Sequence, residues 1–184
     1  MTSSGTVATG QFWKLIEDAR RQVPDVTDSQ AVAARAAGLL STYPRQEIIA
    51  AGEALRTLLA ESYRSPLWAA AYMINGGCSN DGFEDFRGWL IVQGHEVFER
   101  MIADPDTLAD LPIVRAARLG RARLECEETL YIAYRAQRKA TGEEFPMRVS
   151  TIQYPELDPG WDFDFDDRAE MKRRLPRLAA LCVD

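Results

Sequence analysis

Residues 72–98 read YMINGGCSNDGFEDFRGWLIVQGHEVF, and the fold turns on how this stretch is read. Gly76 and Gly77 can adopt the positive φ values that end a helix, and the polar turn behind them carries the start signals of another. Asp81 and Glu84 have the spacing of a capping box, with Ser79 as a rival cap. At about 100° per residue the next helix places Phe83, Phe86, Trp89 and Leu90 on one broad face, which Ile91 and Val92 widen. A helix of this kind is largely buried. Arg87 falls between Phe83 and Ile91, so its guanidinium is either half-buried or must reach out past aromatic rings. Burying it unpaired would be costly, which calls for a carboxylate.

LECEETLYIAY, residues 124–134, offers that carboxylate. The same helical plot gathers Leu124, Leu130, Tyr131 and Tyr134 around Glu127, with Glu125 and Glu128 toward the margins. The expectation is a pair between Arg87 and Glu127, or failing that Glu128. If the pair sits in an open cleft, Arg87, Trp89, Glu127 and Glu128 become ligand-binding candidates, with Arg87 holding a small anion. The glycine-rich turn also presents amides at a helix start, but Asp81, Glu84 and Asp85 would repel an anion there.

Outward from this centre the chain reads as helix after helix. Phe12, Leu15, Ile16 and Ala19 recur at helical spacing until Pro24. Asp28 or Ser29 can cap an alanine-rich helix to Leu40, and Tyr43-Pro44 separates it from QEIIAAGEALRTLLAESY. Ser65-Pro66 starts a helix that Gly76 ends. Helices over about 82–93 and 94–103 meet near Gly94. Leu111 to Ala140 reads as the longest helix pair, broken near Gly120 and closed by Gly142. Pro146, Pro155, Pro159 and Gly160 then forbid a long helix. A last helix spans about 166–180, with Pro176 as a kink or restart. Residues 1–9, small and polar, read as a mobile tail. The expected architecture is all-α: residues 10–184 form a single-domain bundle of about six to eight helices, with an irregular, partly extended segment near 143–165.

Other residues suggest weaker sites. Asp162, Asp164 and Asp166 have the first three spacings of a calcium loop, but Asp167 and Arg173 stand where that loop needs glycine and glutamate. The aspartates alternate with Trp161, Phe163 and Phe165, which better suits an extended segment with one buried aromatic face. Weak divalent-metal binding is the remaining use for the three acids. Lys172, Arg173, Arg174 and Arg177 form the clearest basic cluster, either a solvated helix face or a surface for an acidic partner. His95 is the single histidine, which excludes chemistry that needs two.

Composition bounds the class. The 184 residues are 46% hydrophobic and 27% charged, as in an ordinary globular chain able to bury a core without disulfides. A net charge of −6 weighs against nucleic-acid binding. The sequence has neither an apolar run long enough to span a membrane nor a signal-peptide pattern, and its three cysteines are widely spaced. A reduced, cytoplasmic protein without cofactors is the expectation.

FWKLIEDAR, INGGCSNDGFEDFRGWLIVQGHEVFERMIADPDTLAD, LECEETLYIAY and YPELDPGWDFDFDDRAEMKRRLPRLAAL together resemble the bacterial domain-of-unknown-function family 4240. The GGCSNDGFEDFRGWLI block is the specific part. The resemblance implies a mostly helical cytoplasmic domain and brings no catalytic residues with it. No nucleophile–base pair, metal cluster or phosphate loop stands out, so a non-catalytic protein-interaction or regulatory module is expected first, and an enzyme or small-molecule binder second.

Overall fold

The structure, a computed structural model, describes residues 3–120, 122–145 and 152–182. Its first helix, α1 (Ser3–Arg20), buries the apolar stripe of Phe12, Leu15, Ile16 and Ala19. The helix reaches back to Ser3, into the segment read from sequence as a tail; Met1 and Thr2 lie outside the described residues. The alanine-rich segment forms α2 (Ser29–Leu40), where Asp28 is the cap and accepts the Ala31 amide at 3.0 Å. Next come α3 (Arg45–Glu61) and α4 (Ser65–Asn75), the latter closed by Gly76 in the left-handed region at φ 67°. No side chain could sit there without strain, so a glycine stands at this stop.

The central helix, α5 (Asn80–Val92), is capped by Ser79, whose hydroxyl accepts the Gly82 amide at 3.1 Å. Ser79 thus takes the role expected first of Asp81. Burial runs around nearly the whole helix: Phe83 and every residue from Phe86 to Val92 are covered. A carbonyl at 2.5 Å from where a Cβ on Gly88 would lie belongs to Cys126, so the chain crosses α5 at that glycine. The crossing is tied by the Cys126 amide donating to the Asp85 carbonyl at 2.9 Å.

That crossing overturns the expected long helix pair. After α6 (His95–Ala103) and the 3₁₀ turn Pro105–Asp110, α7 (Pro112–Gly120) ends, and residues 122–126 have no helical structure. A 3₁₀ turn, Glu127–Tyr131, leads into α8 (Ile132–Thr141), which Gly142 closes at φ 74°. The longest helices among the described residues are instead α1 and α3. The chain finishes in α9 (Arg168–Arg174) and α10 (Pro176–Cys182), so Pro176 restarts the helix. Asp106 is only 7% exposed and caps α10 from a distant part of the chain, accepting the Arg177 and Leu178 amides.

The described residues hold ten α-helices and three 3₁₀ turns with no strand, an all-α fold with more helices than expected. Part of the excess arises where α9 and α10 divide at Pro176. In the core, α1 packs on α2 and α3, both of which meet α8; α5 lies against the Glu127–Tyr131 turn, and α10 against α4 and the Pro105–Asp110 turn. One continuous apolar cluster results. Residues 152–158 have no regular structure, and 146–151, part of the segment expected to be irregular and partly extended, lie outside the described residues. The 152–166 segment runs over the bundle as a strap, seating Ile152, Trp161, Phe163 and Phe165 on the core.

Candidate functional site

Arg87 is 2% exposed, and no carboxylate lies within ion-pair distance of it among the described residues. The expected pair with Glu127 or Glu128 does not form. The guanidinium is held by main chain and rings: Nη1 donates to the Leu59 carbonyl at 2.6 Å and Nε to the Phe83 carbonyl at 3.3 Å. Its carbon stands 5.2 Å from the Tyr63 ring centre, 4.9 Å from Phe83 and 5.0 Å from Tyr154. Leu59 lies in the last turn of α3, where carbonyls without helical partners make the helix end partly negative. Three π faces supply further negative potential. Glu84 stands one layer away, accepting the Tyr154 hydroxyl at 3.3 Å. Burial raises the Tyr154 phenol's pKa, with Arg87 pulling the other way.

Glu127 is exposed because it belongs to a 3₁₀ turn behind an irregular segment, where a helical plot does not apply. Its electrostatic neighbour is Asp85. Burial first, then the charges of Glu127, Glu125, Glu84 and Asp81, push the Asp85 carboxyl from 3.8 up to about 6. The native protein therefore holds this proton where the unfolded chain has released it. The resulting destabilisation is complete above about pH 6 and fades as the pH falls toward 3.8. Asp85→Asn is expected to raise stability at pH 7 by about 1 kcal/mol, allowing for solvent screening. The gain over the parent should shrink steadily between pH 6 and pH 4 in thermal melts. A gain that does not change with pH would contradict the assignment.

Trp89 is 2% exposed and belongs to another cleft of about 390 Å³, with Asp28, Ile113 and Arg123 among its lining residues. Arg87, Trp89, Glu127 and Glu128 therefore do not share a cleft.

A larger cleft of about 580 Å³ opens between α4 and the strap. Its inner wall is Trp68 and Tyr72. The Trp68 ring stacks on Phe83 at 4.8 Å, and its Nε1 donates to the Cys78 carbonyl at 3.1 Å. The Tyr72 hydroxyl donates to Asp166 at 2.9 Å. Trp161, Phe163 and Phe165 form the outer wall, as the alternating pattern suggested, with Asp158, Asp162 and Asp164 beside them. These rings brace one another. Phe163 lies 5.9 Å from Trp161 and 5.5 Å from Phe165, which meets Tyr72 at 5.7 Å. Asp158 accepts the Gly160 amide at 2.8 Å and Asp164 the Asp166 amide at 2.9 Å. Asp162 is exposed, and its carboxylate makes no hydrogen bond or ion pair among the described residues, while its amide donates to the Pro159 carbonyl at 3.1 Å.

These aspartates do not gather around a point. Asp166 is engaged by Tyr72 and Asp164 by the Asp166 amide, and the described residues contain no cluster of three or more acid, histidine or cysteine side chains suited to a metal ion. The basic cluster is largely committed as well. Arg173 and Arg174 pair with Glu170 and hold its carboxyl down to about 2, and Arg177 pairs with Asp110. Lys172 alone of the four is exposed without a partner among the described residues. His95 stacks on Trp13 at 5.0 Å, away from the lining of the 580 Å³ cleft. Cys78 lines that cleft, but burial and Glu125 push its thiol up to about 11, so it stays protonated and a poor nucleophile. Sequence reasoning missed Trp68, Tyr72 and Asp158. The signal for Trp68 and Tyr72 was their i, i+4 placement on one face of a helix whose core face is supplied by Leu67, Ala70, Ala71 and Ile74.

Fold and site together define an all-helical domain whose C-terminal strap closes one side of an open aromatic cleft. The chain belongs to the family described as "Protein of unknown function (DUF4240)", whose model matches residues 8–139. The strap lies beyond that match, so the family region supplies Trp68 and Tyr72 and the strap supplies the acidic wall. No curated protein and no solved structure matches the chain.

Proposed function

We propose that the protein is a non-catalytic binding module whose cleft receives an organic cation carried on an apolar body. One observation carries the reading: five aromatic side chains and three aspartates line one open cleft, and the Asp162 carboxylate there has no partner among the described residues. Ring faces attract cations, and a carboxylate at the rim fixes their position. Ser65 places the start of α4 at the same cleft, where its dipole opposes a cation with roughly half a unit charge. Three carboxylates outweigh it. The protonated Cys78 thiol and the distant His95 support a binding role over a catalytic one. An anion at Arg87, the second reading of the sequence, would have to displace the Leu59 carbonyl and three rings. We propose a cytoplasmic setting, a reading supported by the free thiols of Cys78, Cys126 and Cys182.

Thermal shift provides the test, because a ligand that binds only the native state raises the melting midpoint with its concentration. Alkylguanidinium and alkyltrimethylammonium ions should raise it, and their neutral isosteres should not. Trp161→Ala should remove the effect. An equal rise with the neutral compounds, or a full rise in Trp161→Ala, would overturn the reading.

A further inference from the structure

Resting on this cation-binding reading, we infer that the cleft's ligand is the guanidinium of an arginine in a basic peptide segment of a partner protein. The protein already shows how its strap receives that group. Arg174, which does not line the cleft, places its guanidinium carbon 4.8 Å from the ring centres of both Trp161 and Phe163, while its Nε bonds Glu170 at 3.0 Å. Two rings and one carboxylate satisfy a guanidinium there. The cleft repeats the combination with an acid left open: Trp161 and Phe163 again line it, Trp68 and Tyr72 face them, and Asp162 stands unpaired at the rim.

Geometry selects guanidinium over ammonium. A planar guanidinium can lie along ring faces and still present paired N–H donors to one carboxylate. A trimethylammonium group offers no donor, so Asp162 would gain only a diffuse attraction from it. A primary ammonium is more strongly hydrated and loses more on leaving water for rings. The inner wall is held before any ligand arrives, through the Trp68 bond to Cys78 and the Tyr72 bond to Asp166, so little ordering remains to be done on binding.

Charge outside the cleft argues for a peptide over a free small cation. From Ile152 to Asp166 the strap carries Glu156, Asp158, Asp162, Asp164 and Asp166 with no lysine or arginine. That exceeds what one cation needs and suits a segment with further basic residues beside the anchoring arginine. Leu157, 36% exposed at the cleft edge, offers apolar contact to the flanking chain.

The experiment is calorimetric titration of the full chain with four short basic peptides that differ only at the central residue: arginine, lysine, trimethyl-lysine or citrulline. The arginine peptide should bind at least tenfold more tightly than the other three, more weakly as salt rises, and Asp162→Asn should abolish its advantage. The Asp162 side chain is exposed and has no partner among the described residues, so this variant should fold normally. Equal binding of arginine and trimethyl-lysine, both above citrulline, would overturn the guanidinium assignment and leave the cation cleft standing. Citrulline binding as tightly as arginine would overturn both. If no peptide binds while small organic cations still raise the melting midpoint, the peptide assignment fails alone.

Discussion

Replacing Gly88 with alanine is expected to destabilise the protein by about 3 kcal/mol, the upper end of the usual cost of overpacking. For a chain of this size that corresponds to a fall of roughly 6–12 °C in melting midpoint. The sign is opposite to what helix propensity alone gives, since alanine inside a helix is favoured over glycine by about 1 kcal/mol. Contact decides it. The new Cβ would lie 2.5 Å from the Cys126 carbonyl oxygen and 3.3 Å from the Thr129 Cβ. The first is backbone, and it can retreat only by stretching the bond from the Cys126 amide to the Asp85 carbonyl. A melting midpoint equal to or above that of the parent would mean that the crossing of α5 is misplaced.

Arg87→Ala should cost about 3 kcal/mol, because it empties a buried site walled by three rings and removes a donor from the Leu59 carbonyl. The Ser62 hydroxyl, 3.2 Å from that carbonyl, has one proton and gives it to the Leu58 carbonyl at 2.7 Å, so the loss combines packing with a weakly satisfied buried acceptor. Arg87→Met keeps most of the volume and should recover more than half of the deficit. The decisive comparison is Glu127→Gln. Were Glu127 the counter-ion, its neutralisation would strand a buried cation and cost several kcal/mol. As the residue is exposed and repels Asp85, the substitution should be neutral or slightly stabilising in denaturant titrations. A loss matching that of Arg87→Ala would restore the ion pair.

Much of the fold was legible from side-chain pattern. The α1 stripe, the Gly76 stop, the burial of α5, the Pro176 restart and the aromatic face of the strap all follow from spacing or from one residue's backbone preference. The path of residues 122–131 did not. Glutamate, leucine and alanine there favour helix locally, while the irregular course of 122–126 is held by the Cys126 amide on the Asp85 carbonyl and by the Asn75 side chain on the Leu124 main chain, contacts between distant residues that local spacing does not record. Gly88, inside an otherwise bulky helix, was the available sign of another backbone close by. The counter-ion was misjudged for a related reason. A buried cation needs negative potential, and a helix end with π faces provides it without a carboxylate. Of the site, the alternating aromatics and aspartates were visible in sequence. Their meeting with Trp68 and Tyr72 depends on how the strap returns to α4, a contact between residues far apart in the chain.

The four tryptophans allow the most direct test of the cation cleft. Trp68 and Trp161 line it, whereas Trp13 and Trp89 are buried elsewhere. In a titration of the ¹⁵N-labelled protein with acetyl-arginine-methylamide, followed through the four indole N–H resonances, those of Trp68 and Trp161 should move together and saturate. The signals of Trp13 and Trp89 should stay in place. Movement of Trp13 or Trp89 without the other two, or no movement at millimolar ligand, would contradict a cation-binding site between α4 and the strap.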